Sequence, residues 1–286
     1  MGQESHPSSS HSFQLSIGEG LWRALQQQSK RTGDSITHLM RQAIADSLDL
    51  DHNTIYQVST SGALVKGVFK GCVKVNDVIR HGDFGLGTFD GLDGEGIMLN
   101  GICWQARADG SVTEASKTAL APFWTTTFFK ADRTLTYRDI VSWEDLIDRL
   151  DRERFSDNIF CAIRVSGRFQ HVDYRVACKA KPGEELVQAT KHQAEFSSQD
   201  LDGTLVGFWT PAYARTINVP GYHLHLLSDD HRHAGHVFNL RAQELTVELH
   251  DENELQMVLP ETTEFLSADL NGDPAAALEE AEGQHP

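Results

Sequence analysis

After residue 54, apolar residues fall largely on a two-residue period or in short runs. Ile55-Tyr56-Gln57-Val58-Ser59 reads as a strand with one buried face. Leu64 to Val75 is apolar and broken by glycines, which predicts short helical or strand pieces. Ile97-Met98-Leu99 and Ile102-Cys103-Trp104-Gln105 flank Asn100-Gly101, so a hairpin on a tight Asn-Gly turn is expected. Phe123 to Phe129 is an apolar, Thr-rich strand. Ile159 to Val165 and Phe169 to Val176 predict a hairpin around Ser166-Gly167. Thr204 to Trp209 is a strand ended by Pro211, and Glu244 to His250 and Glu254 to Val258 are further strands. Helical signals are few. Ser142 caps a helix running to about Arg152, with Asp145 at its third position, and Glu184 to His192 is a short helix.

The N-terminal stretch follows a different pattern. Residues 1–12 are polar and Ser-rich, a disordered tail by composition. Phe13 to Ile17 alternates as a short strand. From Glu19 to about Arg31, Leu21, Trp22 and Leu25 recur at helical spacing. Gly33 suits a helix C-cap, and Ser35 suits the N-cap of a second helix through Ile44 and Leu48. This strand-helix-helix unit over residues 13–50 resembles the ribbon-helix-helix module, whose strands pair across a dimer and often enter DNA. The outward strand face shows Gln14 and Ser16 rather than basic groups, so dimerisation is the favoured reading and nucleic-acid binding the lesser one. Residues 50–53 read as a linker.

Composition narrows the classes. The chain has 286 residues, is 40% hydrophobic and carries a formal net charge of −16. That charge works against non-specific nucleic-acid binding by the body of the protein. No apolar run approaches the roughly 20 residues of a membrane span, so no membrane contact is expected. The start lacks an apolar signal core, and His6 stands where a myristoylation motif wants Ser or Thr. Cys72, Cys103, Cys161 and Cys178 form no metal-type pair and read as free thiols. A cytoplasmic location follows as the expectation.

Two stretches carry candidate chemistry. His81 to Gly101 holds seven glycines, so the backbone turns tightly or meets something closely. It contains neither a phosphate loop nor a dinucleotide fingerprint. Glu95 stands in it just before a strand, where a solvated turn carboxylate is the ordinary reading. Gly221 to Leu240, GYHLHLLSDDHRHAGHVFNL, holds five of the chain's 14 histidines. On a strand His223 and His225 share a face. A hairpin turning at residues 228–233 can bring His236 beside them. Three neutral imidazoles there would suit zinc or a similar divalent ion. Two unrelated strand histidines would show the same spacing. His231 and His233 fall in the turn and read as solvated.

Taken together, HGDFGLGTFDGLDGE, the strand arginine Arg175 and GYHLHLLSDDHRHAGHV resemble the acetolactate decarboxylase family, in order and spacing, from about Tyr56 to Glu282. The resemblance implies an α+β fold of two β-rich halves with mixed and antiparallel sheets and few helices, 54–135 and 136–286. It implies that Zn2+ is held by His223, His225 and His236, and that Glu95, Arg175 and Glu282 are catalytic. Thr88 would line the substrate pocket with Arg175. The implied reaction is decarboxylation of 2-acetolactate to acetoin and CO2. Zinc would be chelated by the substrate ketone and hydroxyl, with stereoselective protonation of an enediolate. A homodimer is implied as well. The alternative is a metabolite-sensing regulator that binds DNA through its N-terminal module. A zinc hydrolase is a weaker one, since no His-Glu-x-x-His helix is present.

Overall fold

The structure, a computed structural model, describes residues 15–32, 36–48 and 53–283. Its elements in chain order are α1 (Glu19–Thr32), α2 (Ile36–Leu48), β1 (Thr54–Val58), α3 (Ser61–Val65), β2 (Val73–Lys74), α4 (Val75–Val78) and β3 (Phe84–Thr88). There follow β4 (Glu95–Leu99), β5 (Ile102–Ala106), β6 (Val112–Glu114), β7 (Leu120–Ala121), β8 (Phe123–Thr127), β9 (Arg133–Ile140), α5 (Trp143–Glu153) and β10 (Phe160–Val176). The chain continues with α6 (Leu186–Thr190), β11 (Ala194–Thr210), β12 (Gly221–Ser228), β13 (Ala234–Glu252), β14 (Glu254–Val258), α7 (Thr263–Ser267) and α8 (Ala275–Glu282). Among the described residues no helix is long and apolar enough to cross a membrane.

Two large sheets and a two-stranded one of β2 and β7 make an α+β fold. One has seven strands in the order β14-β1-β8-β3-β4-β5-β6, and the other has five. In the second, β10 pairs with β11 on one side and β13 on the other, while β12 bridges β11 and β13. That sheet therefore closes on itself at the end carrying the histidines. Ile55, Phe84, Leu86 and Ile97 of the first sheet pack against Ala162, Val206, Phe208 and Leu227 of the second in one buried layer. The second sheet's other face is covered by α5 through Trp143, Leu146 and Leu150. Helices α3, α6 and α8 form a separate apolar cluster with Phe123 and Val219.

Several expected local features are present. Leu99 pairs with Ile102 across Asn100 and Gly101, whose φ values of 53° and 76° give the tight turn. Ser142 accepts a hydrogen bond from the Asp145 N–H at 3.2 Å and starts α5. Ser142→Ala is expected to lower stability by about 1 kcal/mol; an unchanged urea midpoint would show that the cap contributes nothing.

Other expectations need correction. The hairpin expected around Ser166-Gly167 is one continuous strand, β10, paired on both sides across that point. Gly167, at φ +152°, marks a shift in its register with β13 rather than a reversal. The strands expected at 204–209 and 244–250 are parts of the longer β11 and β13. A division at residue 135 cuts through β9, which belongs to the second sheet, and β14 crosses back to lie parallel to β1. The two N-terminal helices are present, but Leu15–Ile17 is not a strand. Residues 1–12, 13–14, Gly33, Ser35 and most of the expected linker lie outside the described residues.

Candidate active site

The histidine hairpin forms as the pattern predicts. Ser228 Oγ accepts from the N–H groups of Arg232 and His233 and donates to Asp230, closing the turn between β12 and β13. His231 takes a left-handed φ of 55° there and stacks on Trp104 of β5, with ring centroids 4.1 Å apart. His233 is not fully solvated, because its Nδ1 lies 3.0 Å from the Tyr174 hydroxyl. Past the turn, His225 stands directly opposite His236, and His236 opposite Arg175. Two cross-strand pairings thus set two imidazoles and a guanidinium side by side.

The first sheet supplies the facing wall. Thr88 and Glu95 are register partners on β3 and β4. Thr88 Oγ1 donates to Gly94 O at 2.7 Å and so fixes the turn before Glu95. A Cβ at Gly87 or Gly96 would come within 2.5 Å of the Trp124 ring, which explains two of the glycines in this run. α8 closes the cavity with Glu282 in its last position, anchored by the buried Leu278 and Ala281. Thr88, Glu95, Arg175, His223, His225, His236 and Glu282 all line one cavity, with an apolar wall of Leu64, Leu92, Phe123, Leu186 and Val219.

Distances within the cavity are short. His223 Nε2 and His225 Nε2 are 3.0 Å apart. Glu95 Oε2 is 3.7 Å from His225 Nε2. Glu282 Oε2 is 3.6 Å from His236 Nδ1 and 3.9 Å from His223 Nε2. Glu95 Oε1 accepts the Ala177 N–H at 2.9 Å, and Arg175 Nη2 donates to Gly283 O at 3.2 Å. The Gly96 carbonyl, the Ala177 amide and the Gly283 carbonyl are site groups the sequence does not flag. They are main-chain atoms, and side-chain identity carries no signal for them.

Burial dominates the electrostatics. It pushes the His223 imidazole down to about 3, helped by Arg175. It holds His225 and His236 well below the usual histidine range, with neighbouring His223 and Arg175 adding to the effect. All three are neutral at pH 7, the form that ligates metal. Burial also raises Glu95 to about 8, reinforced by Glu282 and opposed by the Ala177 hydrogen bond and Arg175. Glu282 is raised by its burial, with Arg175 opposing.

The donor set fits a divalent ion. One nitrogen from each of the three histidines lies within 4.8 Å of the others. His225 Nδ1 is 3.1 Å from Gly96 O, which assigns the proton to Nδ1 and leaves a lone pair on Nε2, facing His223 Nε2. His223 Nδ1 and His236 Nδ1 are buried without hydrogen-bond partners. Three converging, neutral imidazoles with no thiolate suit zinc and similar ions.

Comparison with known proteins gives the family. The model of the alpha-acetolactate decarboxylase family matches residues 55–272. The alpha-acetolactate decarboxylase of Bacillus licheniformis is 38% identical over 85% of this chain and 97% of its own length. That of Methanosarcina mazei is 39% identical over 82% and 83%. The crystal structure of alpha-acetolactate decarboxylase from Bacillus subtilis strain 168 superposes with a TM-score of 0.78 at 37% identity, covering 80% of this chain and 99% of that one. α1, α2 and Glu282 lie outside the stretch matched by the family model, so the place of Glu282 in the site rests on geometry. Since that stretch spans both sheets and all three cavity histidines, the chain belongs to the alpha-acetolactate decarboxylase family, a family of enzymes.

Proposed function

We propose that this chain decarboxylates 2-acetolactate to acetoin and CO2, with zinc at His223, His225 and His236. The observation that carries the reading is the meeting of three neutral imidazoles, one arginine and two buried carboxyls in a single cavity of a chain from this family. A bound zinc ion would supply Lewis-acid polarisation of the substrate's ketone and hydroxyl oxygens.

The chain's own residues account for the rest. Arg175 is buried beside the histidines, and its guanidinium can bind and orient an anionic oxygen of the substrate. Its present partner is the Gly283 carbonyl, a neutral acceptor that an anion can displace. The apolar wall suits the substrate's two methyl groups and excludes water. When the bond to the carboxylate breaks, its electron pair moves toward the ketone and leaves an enediolate. A proton must then reach the carbon that lost CO2. Glu95, whose carboxyl burial raises to about 8 in the metal-free cavity, is placed to deliver it, and Glu282 faces the same space from α8. Delivery from one side would give one acetoin enantiomer. The four unpaired cysteines suit a reducing compartment, and we place the enzyme in the cytoplasm on that ground. A DNA-binding regulatory role has no comparable observation behind it.

The direct test incubates purified protein with racemic 2-acetolactate and measures acetoin, CO2 and bound metal together. Product without bound divalent metal would sink the zinc assignment; absence of product in the metal-loaded protein would sink the activity.

A pH dependence follows for the metal-free protein. Glu95 holds its proton up to about pH 8 when folded, whereas the unfolded chain releases it near the ordinary value of 4.5. Between those values the native state binds more protons, so stability falls as pH rises, and the cost is constant above about 8. Glu282 and Glu252, the latter raised to about 7 by burial, add to the same slope. Below about pH 6.5 the three buried histidines, held neutral in the folded chain, oppose this slope, so chelator-treated protein should lose melting temperature between about pH 6.5 and pH 8. Glu95→Gln should remove part of that loss, and an unaltered slope would contradict the burial argument.

A further inference from the structure

A second cavity, of about 190 Å3, shares no lining residue with the catalytic one. Its walls come from the turn between β5 and β6, from β10 and β11, and from the turn that joins the histidine strands β12 and β13. Tyr174 lines it, whereas the next residue, Arg175, lines the catalytic cavity. Gly110, at φ +84°, carries the β5–β6 turn over Phe196, and a Cβ there would lie 3.4 Å from the ring. The rings of Tyr174 and Phe196 stack with centroids 5.4 Å apart and planes 16° from parallel. With Val112 and Ala234 they supply apolar surface. Arg107, Arg232 and His233 supply polar groups, and no carboxylate lines the cavity among the described residues. In a chain of net charge −16 that is an unusual local balance.

We infer that this cavity is a binding site for a small carboxylate with a flat apolar body, an aryl carboxylate. The cations are held ready for an anion. Arg107 Nη1 donates to Thr113 Oγ1 at 3.2 Å and Nη2 to Gln105 Oε1 at 2.6 Å. Both acceptors are neutral, so they fix the guanidinium without cancelling its charge. The Asp93 carboxylate stands 3.7 Å from Arg107 Nε, and that of Asp230 stands 4.0 Å from Arg232 Nε. Both contacts are longer than a hydrogen bond, and an incoming carboxylate can form the shorter ones. His233 Nδ1 lies 3.0 Å from the Tyr174 hydroxyl and 3.5 Å from Ser198 Oγ. With Nδ1 accepting from these hydroxyls, the ring keeps its proton on Nε2 and offers a third donor. The aromatic surface then takes the ligand's flat body by stacking. A bare inorganic anion would leave that surface wet and uncovered.

The test titrates sodium benzoate into the full zinc-loaded chain by isothermal calorimetry, with benzyl alcohol as the uncharged match and inorganic phosphate as the anion without an apolar body. Neither comparison requires turnover. Benzoate should bind, and benzyl alcohol should bind at least about tenfold more weakly, the usual worth of a charge-assisted hydrogen bond. Phosphate should not displace benzoate at equal concentration. Arg232→Gln removes one cation whose side chain is largely exposed, so the fold should be untouched and benzoate should bind about tenfold more weakly. Arg175→Gln, in the catalytic cavity, should leave benzoate affinity unchanged. Absence of benzoate binding at about 10 mM overturns the proposal. So does an affinity that falls with Arg175→Gln and not with Arg232→Gln, which would place the ligand in the catalytic cavity. Phosphate binding as tightly as benzoate overturns the assigned ligand class.

Discussion

Replacing His223 with alanine is expected to remove metal and activity together. The imidazole is buried beside His225 and His236, and no nearby side chain replaces its nitrogen among the cavity-lining residues. Loss of merely outer partners weakens metal binding by about 10–100-fold, so loss of a direct ligand should exceed about 100-fold. Elemental analysis after dialysis and an acetoin assay check both halves of the expectation. His231→Ala is the matched control. That histidine sits in the same hairpin but stacks on Trp104 outside the cavity, so its removal should leave the metal bound. A metal-replete, active His223→Ala protein would refute the ligand assignment.

Glu95→Gln should separate chemistry from metal binding. Glutamine keeps the shape of the side chain and can still accept the Ala177 N–H, so the β4 end should hold its position. It has no acidic proton to give. Acetoin formation should drop about 10²–10⁴-fold, the usual contribution of a positioned acid or base, with zinc content unchanged. Near-normal turnover would assign the proton to Glu282, whose carboxyl faces the same histidines.

Much of the strand inventory could be read from short-range pattern. The Asn100-Gly101 turn, the Ser142 cap and the two arms of the histidine hairpin are fixed by residues within a few positions of each other. Long-range pairing left no comparable signal. Ser166-Gly167 has the composition of a turn, yet β11 and β13 hold β10 extended through it. Nothing in Glu254–Val258 indicates that this strand returns to lie parallel to β1. The candidate site divides in the same way. The histidine spacing suggests a ligand trio locally. The approach of Glu95, Arg175 and Glu282 depends on how two sheets and a helix pack, and only the family resemblance pointed to those residues beforehand.

The bond from His225 Nδ1 to the Gly96 carbonyl crosses from one sheet to the other. The aim of that imidazole is therefore a property of the seam between the sheets. A slip of about an ångström along the seam would break this 3.1 Å contact while leaving every ladder hydrogen bond in both sheets intact. On warming, turnover would then fade before the far-ultraviolet signal of the strands does, and catalysis would report on the seam ahead of any spectroscopic sign of melting.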